Sequence, residues 1–207
     1  MKYKGYIFDF DGVILDTEHF HYKAWEKALA PYNVRFTEDE YEPLKSTGRL
    51  HVIQTLMAMR GLTFNEDDAQ RIMENKGIYF KEYMQHMNDS FFIPGVLAYI
   101  KKQKQQGHKL AVVSSSMEAK VLLNKFLLTQ YFDVIIDGND DYAKKPSPDA
   151  YIAALHKLGL EHTEAVIFED SLVGVRAGTK ALVDVIYIGN QDASKALFTI
   201  KDFTTLM

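Results

Sequence analysis

The stretch Tyr6-Ile7-Phe8-Asp9-Phe10-Asp11-Gly12-Val13-Ile14-Leu15-Asp16-Thr17 decides how the rest of the chain reads. Its first half, Tyr6 to Phe10, is an apolar run of the kind that forms a buried strand. Asp9 breaks the run, and Asp11 with Gly12 ends it. A carboxylate inside a buried strand is costly unless a cation or hydrogen-bond donors meet it. On a regular strand Asp9 and Asp11, two apart, point the same way. Two carboxylates together at a strand end make a hard-oxygen site suited to Mg²⁺. A strand running into an ordinary Asp-Gly turn is the alternative that this stretch alone leaves open.

After Thr17 the period changes from strand to helix. Thr17 is placed to N-cap a helix expected from Glu18 to about Ala30, stopped by Pro31. Shorter helices are expected from Glu38 to Lys45 and from Arg49 to Arg60, the second ending at Gly61. A long helix is expected from about Asp67 to Met87, with Ala69, Met73, Phe80, Tyr83 and Met87 as its apolar seam. From Pro94 onward strands and helices alternate. The strand Leu110-Ala111-Val112-Val113 runs into Ser114-Ser115-Ser116 and a helix reaching about Leu128. A strand at Val134-Ile135-Ile136 follows, then a helix opened by Ser147 as cap and Pro148 as first residue. The strand Ala165-Val166-Ile167-Phe168 runs into Glu169-Asp170, and a last helix and strand end near Ile188. Alternation of this kind predicts an α/β fold, a parallel sheet covered by helices on both faces. The expected organisation is a discontinuous core, residues 1–16 and 90–207, interrupted by an all-helical insertion, residues 17–89. Ligands bind at the carboxyl ends of strands in such sheets. The insertion leaves directly after the acidic strand end, so it is placed to roof the site on hinges near Leu15-Asp16 and Asn88–Ile93.

Composition bounds the function. A chain of 207 residues, 47% hydrophobic and 25% charged, has material for a real core in one or two domains. The net charge of -4 argues against a nucleic-acid or anionic-membrane surface. The absence of cysteine excludes disulfides, thiolate chemistry and cysteine-ligated zinc. No stretch is long and apolar enough to span a bilayer. Met1-Lys2-Tyr3-Lys4-Gly5 carries no signal-peptide core, so a cytoplasmic monomer is expected.

Four strand ends or loops converge under the α/β rule. The first supplies Asp9 and Asp11. The second supplies Ser114, Ser115 and Ser116, whose hydroxyls and N–H groups at a helix start suit phosphate oxygens. The third is Lys144-Lys145-Pro146, where proline favours an extended Lys145 able to neutralise a phosphoryl group. The fourth, Glu169-Asp170, adds a second acid pair to the same sheet edge. An N-cap serine and a solvated basic turn explain the second and third in isolation. Two acid pairs ending strands of one sheet are harder to explain that way. In the insertion, Lys76 stands on an apolar helix seam, and Arg49 opens a helix against the usual preference for acids there. His21 shares a face with Trp25 and Ala28. Inward cations suggest an anion reaching the insertion, with snorkelling of the charged heads to water as the alternative. His19 and His21, two apart on a helix, diverge and make no zinc pair.

These residues, taken in order, resemble the four motifs of the haloacid dehalogenase-like (HAD) hydrolases, over almost the whole chain. Asp9-Phe10-Asp11-Gly12-Val13-Ile14-Leu15-Asp16-Thr17 resembles motif I, Ser114 motif II, Lys145 motif III, and Glu169-Asp170 motif IV. The resemblance implies a Rossmann-like core with a helical cap. It also implies Asp9 as a nucleophile that becomes phosphorylated, Asp11 as general acid/base, and Ser114 and Lys145 holding the phosphoryl group. Mg²⁺ is then expected on Asp9, Asp170, the backbone of Asp11 and, directly or through water, Glu169. Within the family, Thr17, His21 and Trp25 at their spacing, with Arg49 and Lys76, resemble the β-phosphoglucomutase branch. That implies substrate contacts from Thr17, His21, Arg49, Lys76, Ser115 and Ser116. One departure stands out: Met117-Glu118 replaces the Lys-Asn of the mutase, putting an anion where a second phosphate would lie. The expected function is a Mg²⁺-dependent phosphatase for a small phosphorylated metabolite, a sugar phosphate, through an aspartyl-phosphate intermediate. A β-phosphoglucomutase is the alternative. A phospho-accepting signalling receiver is disfavoured by the Asp-x-Asp spacing and the helical insertion, and haloacid dehalogenation by its having no evident use for Asp11.

Overall fold

The computed structural model describes residues 3–190 and 193–206, so Met1 and Lys2 of the N-terminal stretch lie outside the described residues. In chain order the elements are β1 (Gly5–Phe8), α1 (Glu18–Leu29), α2 (Glu38–Tyr41), α3 (Arg49–Ala58) and α4 (Glu66–Gln85). Then come α5 (Val96–Gln105), β2 (Lys109–Val113), α6 (Ala119–Lys125), β3 (Val134–Ile136) and α7 (Asp149–Leu158). The last are β4 (Ala165–Glu169), α8 (Leu172–Lys180), β5 (Asp184–Ile188) and β6 (Phe198–Ile200).

The strands form one parallel sheet in the order β3-β2-β1-β4-β5-β6. β1 is buried along its whole length because both faces of the sheet are covered there. Tyr6 and Phe8 point into one cluster with Tyr99, Phe168 and Phe203, while Ile7 points into another with Val113, Ile167 and Tyr151. Phe8 stacks on Phe168 with ring centroids 5.1 Å apart and contacts Tyr99 and Phe132 edge-on. β1 lies between β2 and β4, with Phe8 level with Val112 and Phe168. The residues just past these three strands therefore stand side by side. The chain also steps from one side of β1 to the other between β3 and β4. Such a switch point leaves a crevice at the strand ends.

Helices α1 to α4 carry their own apolar cluster, including Trp25, Leu29, Phe36, Tyr41, Ile53, Leu56 and Ile72. The two segments that join this block to the sheet pair with each other: Asp16 N donates to Phe91 O at 2.8 Å and Ile93 N to Ile14 O at 3.1 Å. On α4 the buried face runs through Ala69, Ile72, Lys76, Phe80 and Met84, rotated slightly from the expected seam, with Met73 and Tyr83 half-buried. A capping box between Asn65 and Asp68 starts that helix one residue earlier than expected.

Three expectations are corrected. β1 stops at Phe8 rather than Phe10, and Gly12 at φ +73° turns the chain sharply. Asp9 and Asp11 therefore do not share a strand face. Thr17 makes no cap bond to α1, because its hydroxyl goes to a carboxylate, a stronger acceptor. At α7 the cap position falls on Pro148, and Ser147 Oγ accepts from Asp149 N at 3.4 Å, one residue later than expected. β6, three residues with two exposed, carries too short a pattern to read from sequence.

Candidate active site

Two polar networks meet at the carboxyl end of β1. The first is centred on Lys145. Its ammonium lies 3.1 Å from Asp9 Oδ2 and 2.5 Å from Glu169 Oε1, and donates to Val113 O at 3.4 Å. All three side chains are buried. Glu169 is completely enclosed, and its two oxygens accept from four donors. Tyr151 Oη joins Lys145 on Oε1 at 2.5 Å, and Ser171 N and Oγ reach Oε2 at 3.3 and 3.1 Å. The carboxylate presses on α8, where a Cβ at Gly174 would collide with it. Ser171 caps that helix, accepting from Gly174 N at 3.0 Å. Burial pushes the lysine toward neutrality, but Asp9 and Glu169 outweigh it and hold Lys145 charged, with its pKa raised.

One oxygen each from Asp9, Glu169 and Asp170 lie within 4.8 Å of one another. Gly12 makes room for Asp170, whose carboxylate occupies the space of the missing Cβ. Burial and then the charge of Glu169 push the Asp9 carboxyl well up, against the pull of Lys145. Burial, Glu18 and Asp9 do the same to Asp170, against Lys45. An oxygen-only donor set that repels itself in a half-enclosed crevice fits a hard divalent cation.

The second network is centred on Asp11, whose side chain turns toward the helical block. Oδ1 accepts from Thr17 Oγ1 at 2.6 Å and lies 3.0 Å from His21 Nε2; Ser114 Oγ donates to Oδ2 at 3.4 Å. On the far side of the imidazole, Lys76 Nζ sits 2.7 Å from Nδ1. A charged lysine only donates, so Nδ1 accepts and the ring proton lies on Nε2, aimed at Asp11. The ring stacks on Phe80 at 4.0 Å, which fixes its plane. Burial pushes the Asp11 carboxyl up, but His21, Thr17 and Lys76 outweigh it and hold it below the usual range. Lys76 does not snorkel. It is 3% exposed, and burial with the neighbouring Arg49 lowers its pKa to about 8.

A third group closes the far end of the crevice. Arg49 Nη2 meets Glu118 Oε1 and Oε2 at 2.9 and 3.0 Å, and Nη1 donates to Met73 O at 3.2 Å. Ser115 Oγ donates to Ser46 O at 2.8 Å, tying the β2–α6 loop to the helical block. Ser116 N donates to Ser114 Oγ at 3.0 Å, ordering the turn after β2. Between these groups lies a cavity of about 60 Å³, room for a few water molecules, lined by Asp11, His21, Trp25, Lys76, Arg49 and Glu118 among others.

The candidate site residues thus lie at this one edge, in distinct networks. Asp9, Lys145, Glu169 and Asp170 converge. Asp11, Thr17, His21, Lys76 and Ser114 form a separate chain of contacts. Arg49 and Ser115 bridge the sheet and the helical block. Sequence reasoning missed Tyr151, which no local pattern marks. It also missed Glu18 and Lys45, 3.6 Å apart, although Glu18 directly follows Thr17.

A family model for haloacid dehalogenase-like hydrolases matches residues 6–188. A phosphorylated carbohydrates phosphatase of Thermotoga maritima is 30% identical over 184 residues, covering 87% of this chain and 82% of its own. A β-phosphoglucomutase of Bacillus subtilis is 25% identical over 188 residues, covering 90% and 83%. In fold, the crystal structure of a β-phosphoglucomutase from Clostridium difficile superposes with a TM-score of 0.93 over 99% of this chain and 93% of that one, at 24% identity. With motifs, sheet order and family model in agreement, the chain belongs to the haloacid dehalogenase-like hydrolases, in their β-phosphoglucomutase-like branch.

Proposed function

We propose that the chain is a Mg²⁺-dependent phosphatase that hydrolyses a small sugar phosphate through a phosphorylated Asp9. The observation that carries this reading is the division of labour between the two aspartates. Asp9 sits with Lys145 and the acid cluster, and Asp11 hangs from a separate network that includes the helical block.

Residues 1–16 and 90–207 act as the catalytic core and 17–89 as a cap that opens to admit substrate, since the cavity between them, about 60 Å³, has room for only a few water molecules. Asp9 and Asp170 would hold the metal, which would screen the phosphoryl charge against the attacking carboxylate. Asp9 Oδ attacks phosphorus, a new O–P bond forms, and the ester P–O bond breaks. The leaving oxygen takes the proton of Asp11. In the second step water attacks the phosphorus of the acyl phosphate, Asp11 takes the proton of that water, and Asp9 is released as carboxylate. Without substrate His21 and Thr17 hold Asp11 ionised. An entering phosphate dianion opposes that charge and favours the protonated form needed first. Lys145 and Ser114 hold the phosphoryl oxygens, and Glu169 keeps Lys145 in place.

A Thermotoga maritima relative named for phosphorylated carbohydrates supports sugar phosphates as the substrate class. The mutase relative makes intramolecular phosphotransfer the second reading. A screen of phosphate release over sugar and nucleotide monophosphates tests the first. We expect the fastest release from sugar phosphates, abolished by Asp9→Asn. Isomerisation of β-glucose 1-phosphate, primed with a trace of the 1,6-bisphosphate, outrunning phosphate release would instead favour the mutase.

A further inference from the structure

We propose that Tyr151 is a positioning residue: its phenol hydroxyl, donated to Glu169, limits the hold of that carboxylate on Lys145 and leaves the ammonium free to serve a phosphoryl group at Asp9. This deepens the phosphatase reading and rests on it for the reacting group at Asp9.

Tyr151 reaches the site from behind. It stands on α7, 1% exposed, in the apolar cluster with Ile7, Val113 and Ile167. A buried phenol needs a partner for its hydroxyl, and those apolar side chains offer none. The hydroxyl goes instead to Glu169 Oε1 at 2.5 Å. An ionised carboxylate only accepts, so the phenol is the donor. Lys145 Nζ meets the same oxygen, also at 2.5 Å. Two donors thus fill the two lone pairs of Oε1, while Ser171 N and Oγ take Oε2 at 3.3 and 3.1 Å.

The ammonium of Lys145 has three protons and three acceptors around it. These are Glu169 Oε1, Asp9 Oδ2 at 3.1 Å and Val113 O at 3.4 Å. Phosphoryl oxygens arriving at Asp9 have to win one of those protons, and Glu169 is the nearest competitor. Asp9, Lys145 and Glu169 are all buried, so solvent screens that competition little. A short O–H···O⁻ bond takes up part of the charge on Glu169. Without the hydroxyl, Lys145 is the sole donor left on Oε1, and the carboxylate draws it more strongly away from Asp9. The ring acts separately: its centroid lies 5.2 Å from Nζ and walls the ammonium on one side. Tyr151→Phe keeps that wall and removes the hydroxyl alone.

The test measures kcat and KM for the sugar phosphate hydrolysed fastest, in wild type, Tyr151→Phe, Glu169→Gln and the double variant. Tyr151→Phe is expected to lower kcat about tenfold with KM within about twofold of wild type, the scale of a residue that orients a catalytic group. In the Glu169→Gln background the same change should cost less than about threefold, because the charge it moderates is gone. A hydroxyl that serves packing alone would lower the melting midpoint equally in both backgrounds and leave kcat below the midpoint untouched. A folded Tyr151→Phe with kcat within about twofold of wild type, or equal losses in the two backgrounds, overturns the proposal. Orthovanadate, which takes the five-coordinate geometry of a transferring phosphoryl group, reads the same effect without turnover. Titrated with Mg²⁺ present, it should bind Tyr151→Phe at least about fivefold more weakly than wild type. If wild type releases phosphate from no sugar phosphate, the phosphatase reading fails, and weaker vanadate binding by Tyr151→Phe still upholds the role of the hydroxyl. Equal binding by the two proteins, or none by wild type, sinks it.

Discussion

Replacing Glu169 with glutamine removes one charge and converts one acceptor into a donor at a carboxylate whose two oxygens serve four donors. In the better of the two amide orientations the remaining oxygen keeps Lys145 and Tyr151, each at 2.5 Å in the wild type, and the new NH₂ faces Ser171. Lys145 then exchanges an ion pair for a bond from its ammonium to a neutral amide oxygen, a loss of about 1–2 kcal/mol. Ser171 N, donating at 3.3 Å in the wild type, is left facing a donor, at about 1–3 kcal/mol. Relief of the repulsion between Glu169 and its neighbours Asp9 and Asp170 works in the other direction. The net expectation is a loss of roughly 2–3 kcal/mol, which for a chain of this size lowers the melting midpoint by about 5–10 °C. With Glu169 neutral, Lys145 pairs more tightly with Asp9, 3.1 Å away, and masks the nucleophile. We expect kcat/KM to fall about 10- to 100-fold, the scale seen when a residue that orients a catalytic group is lost. The assays are differential scanning calorimetry and phosphate release at temperatures well below the variant's midpoint, with Mg²⁺ titrated. A residue acting through Lys145 leaves the half-saturating Mg²⁺ concentration nearly unchanged, whereas loss of a metal ligand raises it. A midpoint within about 1 °C of wild type with undiminished turnover would refute the reasoning. A large rise in the Mg²⁺ requirement alone would refute the positioning role.

Asp170→Asn is expected to do the reverse: a Mg²⁺ requirement raised at least about tenfold, since a hard cation loses a charged oxygen. The metal-free variant should also melt higher than metal-free wild type. Burial, Glu18 and Asp9 raise the Asp170 pKa in the fold, so metal-free wild type loses stability as pH rises from the unfolded carboxylate range. Calorimetry in EDTA at neutral pH reads the gap, which should close toward about pH 4, where wild type is neutral at this position as well. For Lys76, burial lowers the folded pKa to about 8, so kcat/KM for a sugar phosphate should decline as pH rises through that value. Bound substrate stabilises the charged form and should move the decline in kcat to higher pH. A pH profile of Lys76→Arg without that limb would support the assignment, and an unshifted limb would remove it.

Much of this was legible in the chain because strands and chemistry are punctuated together. Each of β1, β2 and β4 is an apolar run that ends in polar residues, so the run predicts the strand and its end predicts the site. The parallel rule then brings Asp9, Ser114 and Glu169 to one edge without further information. What was not legible depended on backbone geometry and on partners far apart in sequence. The early end of β1 and the positive φ of Gly12 send Asp9 and Asp11 to different networks, which a regular period of two does not foresee. Tyr151 reaches Glu169 from α7, and its helix position resembles that of any core aromatic. Glu118 was visible as an anion in the wrong place for a second phosphate. That it pairs with Arg49, 69 residues away, follows only once the helical block is seated on the sheet. Taken singly, Lys76 reads as a snorkelling lysine and His21 as a packed histidine. Their 2.7 Å contact, continued to Asp11, makes them a network.

The central claim is that Asp9 itself becomes phosphorylated, and chemical trapping tests it most directly. Borohydride reduces an acyl phosphate to an alcohol but leaves free carboxylates and phosphate esters alone. Quenching wild type into borohydride during steady turnover of a sugar phosphate with Mg²⁺, followed by peptide mass spectrometry, should find homoserine at position 9. It should be absent when substrate is omitted, when EDTA is added, and in Asp9→Asn, which should also release no phosphate. Brisk turnover with position 9 unreduced, reduction at another carboxylate, or an Asp9→Asn variant that works within a few-fold of wild type would contradict the account.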